Sequence, residues 1–265
     1  MKLFPSCIAV LAFCASLHVQ AHTPYLAPAS FDASEGGLVT LDASFSETFF
    51  VPEVAFDGSQ FQVIGADGKA SAPDKVVPLQ SRVVVEHRLP RQPGTYRFST
   101  GHRLGAVFRT WEVDGERRSS RDPAQKMPAG AKLVSDFQSL TRAETYITVG
   151  APTQAALEPY GKGLELVPVT HPGDLYVGET FTFEVRYDGR PLADQKVEIT
   201  EAVWGSDRKP EIVVLTTDAS GRADFRMEHA GNWLALTRHR TKAPEGAAAS
   251  EYSNSYTLTF RVLEQ

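Results

Sequence analysis

From Leu38 onward, the chain consists of short apolar or alternating runs separated by turn-forming residues. Alternation with a period of two is typical of strands that bury one face, and the 3.6-residue period of an amphipathic helix is largely missing. The segments between the runs, such as Ala66-Asp67-Gly68, Arg91–Gly94 and Asp114-Gly115, contain residues that tolerate or preset the φ angles of tight turns. The pattern therefore predicts an all-β protein.

Six strands are predicted in the first half of the chain. They are Leu38–Phe45, Phe61–Ile64, Arg82–Leu89, Thr95–Thr100, Ala106–Val113 and Ala143–Val149. The charged, proline-containing segment Arg117–Ala131 interrupts this pattern and is predicted to be a long exposed loop. Gly150–Gly163 is rich in Gly, Pro and Ala, so it is predicted to link an N-terminal β domain (residues 22–149) to a second domain.

The second half has a more regular pattern. Its predicted strands are Leu164–Val167, Thr180–Tyr187, Lys196–Val203, Ile212–Thr217, Arg222–Glu228, Trp233–Arg238 and Tyr252–Leu263. Seven short strands within roughly 100 residues favour an immunoglobulin-like sandwich. We therefore expect two β-sandwich domains, of which the second (residues 164–265) is immunoglobulin-like.

The first 21 residues are predicted to be a cleaved secretory signal that takes no part in the fold. Lys2 precedes the short apolar run Leu3–Leu17, and small residues precede a cleavage site after Ala21. The run is shorter than the roughly 20 residues that a membrane span needs. An uncleaved anchor and a lipid on Cys14 are the alternatives, and the bulky Phe13 disfavours the second. The mature protein is therefore expected to be periplasmic or secreted, with no transmembrane segment.

Removal of the signal changes the chemistry that remains. Both cysteines, Cys7 and Cys14, belong to the signal, so the mature protein has neither a disulfide nor a thiolate metal ligand. The net charge of −5 becomes −6 with the loss of Lys2, so composition gives no electrostatic reason to expect a nucleic-acid partner. No Gly-x-Ser-x-Gly elbow, phosphate-binding loop or His-Glu-x-x-His pair is present. We therefore expect a protein without catalytic activity.

Cleavage after Ala21 would make His22 the first residue of the mature chain. A terminal histidine offers its α-amine and a ring nitrogen to one metal ion, and these ligands suit Cu, Ni, Co and Zn. Pro24 has no amide proton, which disfavours a square-planar site built from successive backbone amides. The stiff, apolar segment Thr23–Pro28 is expected to be held against the domain.

Five further histidines remain after cleavage. His102 follows a predicted strand at a turn, and His239 ends one, so both are candidates for additional metal ligands. His87 is expected at a core or edge position, His171 in a solvated loop, and His229 in an exposed turn.

The mature start, His22-x-x-Tyr25-Leu26-x-Pro28, resembles the His-x-x-Trp-Leu-x-Pro start of a family of exported bacterial proteins. This is the "nickel uptake substrate-specific transmembrane region" family of domains of unknown function, which is associated with nickel or cobalt uptake. The second half is similar to the family pattern at Gly163–Pro168, Pro172–Glu179, Gly189–Leu192, Thr217-Asp218-x-x-Gly221 and Gly231–Leu234. Tyr25 replaces the more usual Trp, and no long apolar run matches the transmembrane region of the family name.

The resemblance implies a periplasmic β-sandwich protein that delivers or senses Ni²⁺ or Co²⁺ for an uptake system. Our hypothesis is a transition-metal (Ni, Co or Cu) accessory protein with His22, His102 and His239 as ligands and a membrane metal transporter as partner. The first alternative is a non-catalytic envelope or surface binding module. The second is a copper monooxygenase with a histidine brace, in which Tyr25 or Tyr252 would be the axial neighbour.

Overall fold

A computed structural model describes residues 22–122, 124–203 and 210–265. The predicted signal, residues 1–21, lies outside the described residues. Over the described ranges the protein is all-β, and its strands form two sandwiches that share a central sheet. This confirms the fold class that the alternating pattern predicts.

The longest strands belong to the central sheet. In the first half they are β1 (Thr23–Pro28), β2 (Leu38–Ser46), β3 (Val54–Ala55), β4 (Gln62–Ile64), β5 (Ala70–Ser71), β6 (Lys75–Pro78), β7 (Val83–Arg88), β8 (Gly94–Ser99), β9 (Arg103–Val113), β10 (Glu116–Ser120) and β11 (Lys132–Val149). After a 3-10 turn at Ala155–Leu157 come β12 (Leu164–Pro168), β13 (Thr180–Tyr187), β14 (Arg190–Pro191), β15 (Lys196–Glu201), β16 (Ile212–Thr216), β17 (Arg222–Arg226), β18 (Gly231–Lys242) and β19 (Glu251–Val262).

The strands form three layers. The central sheet has the order β16-β15-β18-β19-β11-β8-β4-β5, with β9 paired to β11 and β10 to β9. The first outer sheet is β1-β2-β7-β6, with β3 beside β2. The second outer sheet is β12-β13-β14, with β17 beside β13.

The two outer sheets pack on opposite faces of the central sheet. Successive side chains of a strand point to opposite sides, so one central strand contributes to the core under each outer sheet. We call the face that carries Ala143 and Ile147 of β11 the first face, because both side chains belong to the core under the first outer sheet. The second face carries Tyr146 of β11, Trp233 of β18 and Phe260 of β19, which pack in the core under the second outer sheet.

The local sequence pattern predicts the bounds of some strands better than those of others. Thr180–Tyr187 is confirmed to the residue, whereas Ala143–Val149 is only the end of the longer strand Lys132–Val149. The prediction of a loop over Arg117–Ala131 is wrong in its first part, because Glu116–Ser120 pairs with β9. This strand lies at a sheet edge, where exposed charges are tolerated and the alternation of a buried strand is lost.

The two halves are joined by more than the segment between them. β11 of the first half pairs in parallel with β19 of the second over Phe137–Thr145, so the central sheet continues across both. The segment Gly150–Gly163 also contributes Ala156 and Leu157 to the core under the second outer sheet. The division into domains at 22–149 and 164–265 stays a prediction. No helix in the described ranges is long and apolar enough to cross a membrane.

Candidate functional site

The strand that follows His22 is held on both sides. Leu26 lies in the core under the first outer sheet, while Tyr25 and Ala27 pack against Leu234 and Leu236 of β18. These contacts confirm that Thr23–Pro28 is held against the domain. Because β1 is fixed, the position of His22 at its start is fixed as well.

The His22 side chain is paired with a carboxylate from the loop after β2. Its Nε2 lies 2.9 Å from Oε2 of Glu53, and both side chains are about one-third exposed, at 38% and 33%. The pair is therefore open to solvent and accessible to a small ion.

Glu53 is fixed by its own loop before it meets the histidine. Its Oε1 accepts hydrogen bonds from the backbone N–H of Glu47 at 3.0 Å and from Oγ of Ser46 at 3.2 Å. The bond from Glu47 holds the pKa of Glu53 below its usual value, and Ser46 and His22 lower it further against the opposing effect of desolvation. The carboxylate is therefore ionised at neutral pH, and its second oxygen is directed to the histidine ring.

This pairing selects one ring nitrogen of His22 for other chemistry. A carboxylate accepts a hydrogen bond, so the ring hydrogen is on Nε2. The neutral ring then presents Nδ1 with a free lone pair. Nδ1 and the α-amine of a terminal histidine close a six-membered chelate ring around a metal ion. A carboxylate bonded to the other ring nitrogen is the usual means by which proteins orient a histidine ligand.

His102 lies in a different part of the molecule. Although much of the residue is exposed, the Cε1–Nε2 edge of its ring faces Gly163, where an added Cβ would come within 2.7 Å. Desolvation, followed by the positive charge of Arg142, lowers the pKa of His102 to about 4. The ring is therefore neutral at physiological pH.

His239 is separated from His22 by the central sheet. Its ring packs against Tyr187 of the second outer sheet, with centroids 5.1 Å apart, and desolvation lowers its pKa. It alternates with Leu234 and Leu236, which face β1, so it points to the second face. His239 and His102 thus both lie on the side of the second outer sheet, and His22 belongs to the side of the first.

The structure therefore does not bring the three candidate histidines together. Within the ranges that it describes, no group of three or more His, Cys, Asp or Glu side chains has an arrangement that could hold a metal ion. The ligand roles of His22, His102 and His239 stay predictions. Tyr25, one candidate axial neighbour, is buried, and desolvation raises the pKa of its hydroxyl to about 12.

The remaining histidines have structural contacts. His87 is half-buried with its ring edge toward Phe98, which confirms a core or edge position. His171 lies in the loop between β12 and β13, as expected, but it is half-buried and hydrogen-bonded rather than solvated. Its Nε2 lies 3.0 Å from Oγ1 of Thr95, and its Nδ1 accepts the N–H of Gly173. His229 is exposed, as predicted.

Sequence analysis does not find the most highly charged buried cluster in the protein. Glu144 is fully buried, and its two oxygens accept hydrogen bonds from the hydroxyls of Tyr160 at 2.8 Å and Tyr256 at 2.5 Å. The guanidinium groups of Arg97 and Arg142 approach within 3.9 and 4.0 Å, and each lies 4.1 Å from the centroid of the Tyr160 ring. Desolvation alone would raise the pKa of Glu144, but the two guanidinium charges outweigh it and lower the pKa.

This cluster joins the two halves and offers no open site. Arg97, Glu144 and Tyr256 come from the adjacent strands β8, β11 and β19, and Tyr160 comes from the segment before β12. Glu165 holds that segment by accepting the backbone N–H of Tyr160 at 2.6 Å. Since all these side chains are buried or half-buried, the arrangement is structural: it fixes the junction between the two sandwiches.

Solved structures with the same general architecture match most of the chain at low similarity. The D0-D1 domain of intimin is 13% identical, with 89% of this chain and 96% of that chain covered and a TM-score of 0.23. The Yersinia pseudotuberculosis adhesin InvE is 15% identical, covering 90% and 58%, with a TM-score of 0.22. A marsupial T cell receptor is 12% identical, covering 91% and 73%, also with a TM-score of 0.22. TM-scores this low carry no information about function.

No curated protein matches the chain significantly in sequence. A family match, by contrast, spans residues 19–241, which includes His22, Glu53, Glu144 and all but the last part of the second sandwich. The chain therefore belongs to the family described as "Domain of unknown function (DUF4198)".

Proposed function

We propose that this protein is an exported accessory protein that binds a transition metal, nickel or cobalt, and delivers it to an uptake system in the membrane. The metal site is His22 as the mature N-terminal residue. Its α-amine and Nδ1 are the chelating pair, and Glu53 orients the ring. This proposal includes cleavage of the signal after Ala21 and a periplasmic or secreted location.

The observation that carries the proposal is the contact of 2.9 Å between Nε2 of His22 and Oε2 of Glu53. It places a fixed carboxylate on the ring nitrogen that the chelate does not use. A mature chain whose first residue is an oriented histidine needs no third protein ligand to hold a metal ion reversibly, and reversible binding suits a carrier. Imidazole and amine nitrogens favour Cu²⁺ over Ni²⁺ and Co²⁺ in affinity, so the metal that is carried depends on its supply.

The setting of the site agrees with this role. β1 is held between Leu26 in one core and Tyr25 and Ala27 in another, so the terminus does not have to become ordered when metal binds. Because the side chains of His22 and Glu53 are partly exposed, a second protein can reach the bound ion and receive it.

The test compares metal affinity among forms that differ only at the terminus. The mature chain starting at His22, the same chain with its α-amine acetylated, and His22→Ala are titrated with Ni²⁺, Co²⁺ and Cu²⁺ by calorimetry. His229→Ala, at an exposed histidine far along the chain, is the matched control. The proposal expects one ion per chain for the mature form and the control, and loss of that stoichiometric binding in the other two.

Unchanged affinity in the acetylated chain would contradict the proposal, because acetylation removes the α-amine from the chelate. If no form binds metal, the alternative of a non-catalytic surface module takes its place. Copper-dependent oxidation of a polysaccharide in the presence of a reductant would instead support the monooxygenase alternative.

A further inference from the structure

One part of the central sheet extends beyond the first outer sheet. β11 pairs with β8 over Glu144–Val149, but over Lys132–Thr141 it pairs with β9. The buried core under the first outer sheet includes Ala143 of β11 and no residue of β9 or β10. The first face is therefore uncovered where β10, β9, the first half of β11 and the adjoining ends of β19 and β18 lie side by side.

Positive charge is concentrated on this uncovered face. The strand registers pair Arg117 with Glu112, Glu112 with Lys132, Phe108 with Phe137, and Lys242 with Glu251, and paired residues share a face. We call five cations of this face, namely Arg117, Arg121, Lys132, Arg240 and Lys242, the basic face. The same registers place two carboxylates among them, so the face is net positive although the whole chain carries −5.

Most of these cations have no carboxylate partner among the described residues. Arg240 lies 3.3 Å from Glu251. Arg117, Arg121, Lys132 and Lys242 have no carboxylate within salt-bridge distance in the described part of the chain, and all four are exposed. Unpaired cations on one face of an acidic protein indicate an anionic partner.

Two of the arginines lie over aromatic rings. Phe108 and Phe137 stack with centroids 5.0 Å apart and ring planes 11° apart. The guanidinium of Arg121 lies 4.8 Å from the centroid of Phe108, and that of Arg240 lies 3.5 Å from the centroid of Phe137. A guanidinium held in this way loses less conformational freedom when its N–H groups bind a phosphate.

We propose that the basic face binds the phosphate-bearing surface of an anionic lipid bilayer. The cations lie on β10 and the segment after it, on β11 and on β18, so they span five neighbouring strands, a width of about 20 Å at a strand spacing of about 4.8 Å. A single extended polyanion follows one line over this surface, whereas a planar array of headgroups contacts cations along the strands and across them at the same time. The first-face positions between the cations include Thr110, Ser135 and Ser253, which are short and polar and leave the face level.

The binding is purely electrostatic and independent of the proposed metal site. Each Lys or Arg near an anionic bilayer contributes about fivefold in affinity. Binding to the bilayer is therefore lost at high salt, because the Debye length falls from about 10 Å at 0.1 M to about 4 Å at 0.5 M.

The test is cosedimentation of the mature chain with vesicles, with a chelator present so that no metal contributes. Vesicles of phosphatidylglycerol and phosphatidylcholine are compared with vesicles of phosphatidylcholine alone, at low and at high salt. The test variant carries Arg121→Glu, Lys132→Glu and Lys242→Glu. The matched control carries Arg118→Glu, which lies on the opposite face of β10, together with Arg190→Glu and Arg222→Glu in the second outer sheet.

We expect binding to the anionic vesicles only, its loss at high salt, and a weakening of about a hundredfold or more in the test variant, whereas the control binds nearly as the unchanged chain does. Circular dichroism and thermal unfolding establish that both variants are folded. Three results would overturn the proposal: no binding to anionic vesicles, equal loss in both variants, or binding through the same residues to soluble heparin but not to vesicles.

Discussion

Oε2 of Glu53 lies 2.9 Å from Nε2 of His22, and the other oxygen of the same carboxylate is held by its own loop. The carboxylate is thus positioned independently of the histidine that it contacts. In the proposed metal site this contact decides which ring nitrogen is free, so it is the first relationship to change by mutation.

Replacement of Glu53 by Gln is expected to weaken Ni²⁺ binding by about tenfold, because a neutral amide oxygen fixes the histidine ring less firmly and makes it less basic. The measurement is a competition titration of the mature chain with a chelator of known affinity. Glu47→Gln is the control, since that side chain is exposed on the same loop and only its backbone N–H is used. An equal effect of the two substitutions would remove the orienting role of Glu53.

Glu144→Gln is expected to destabilise the fold by about 3–5 kcal/mol, because it leaves the buried guanidinium groups of Arg97 and Arg142 without their counter-charge. Urea unfolding measures this change in the free energy of unfolding. Glu198→Gln, at an exposed position of β15, is expected to change it by less than about 0.5 kcal/mol. A small effect at Glu144 would mean that the cluster does not hold the two halves together.

The folded protein is expected to lose stability between pH 6.5 and about pH 4, and this loss is expected to depend on His102. Desolvation lowers its pKa from 6.5 to about 4, so between these two values the unfolded chain binds more protons than the folded one. Stability therefore falls as the pH drops from 6.5 toward 4. His102→Gln is expected to flatten this part of the profile of unfolding free energy against pH.

The matched control for that profile is His229→Gln, which replaces an exposed histidine. It is expected to keep the slope of the unchanged protein. If His102→Gln keeps the slope as well, the acid sensitivity of this range belongs to other groups.

The contact between His102 and Gly163 can be isolated with two glycines of similar backbone conformation. Gly161 has φ +68° and Gly163 has φ +76°, but only at Gly163 does an added Cβ meet another side chain, at 2.7 Å from Cε1 of His102. Gly161→Ala is expected to cost about 1–2 kcal/mol from backbone strain alone. Gly163→Ala is expected to cost more.

A double-mutant cycle separates the two causes. In a chain that already carries His102→Ala, the additional cost of Gly163→Ala over Gly161→Ala is expected to disappear, as measured by urea unfolding. If it persists, the additional cost comes from the backbone at Gly163 and not from the histidine.

Local pattern predicts the strands whose alternation reflects one buried face. In Thr180–Tyr187, Phe181, Phe183 and Val185 alternate with more polar residues, and all three lie in the core. The first half of β11 lies outside the two-layer part of the fold, so its residues are exposed or half-buried on both faces and the pattern is lost. Its parallel pairing with β19 joins residues more than 100 positions apart, which no local window can indicate.

The candidate site was only partly accessible to sequence reasoning, for the same reason. His22 could be identified because cleavage would give it a free α-amine, and this depends on its place in the sequence and not on the fold. Glu53 carries no local signal, because it meets His22 through the pairing of β1 with β2 and the return of the following loop. The sequence shows Glu144 only as an acidic residue in an otherwise apolar strand. Its partners Tyr256 and Arg97 become evident only from the pairing of β11 with β19 and β8.

The most direct test of the central claim is native mass spectrometry of the protein purified from the exported fraction of its own cells, with the bound metal identified in the same spectrum. The account predicts a chain that begins at His22 and carries one nickel or cobalt ion, which no longer binds when the α-amine of the histidine is acetylated. A chain that begins elsewhere, or one that begins at His22 and cannot be loaded with either metal, would contradict it.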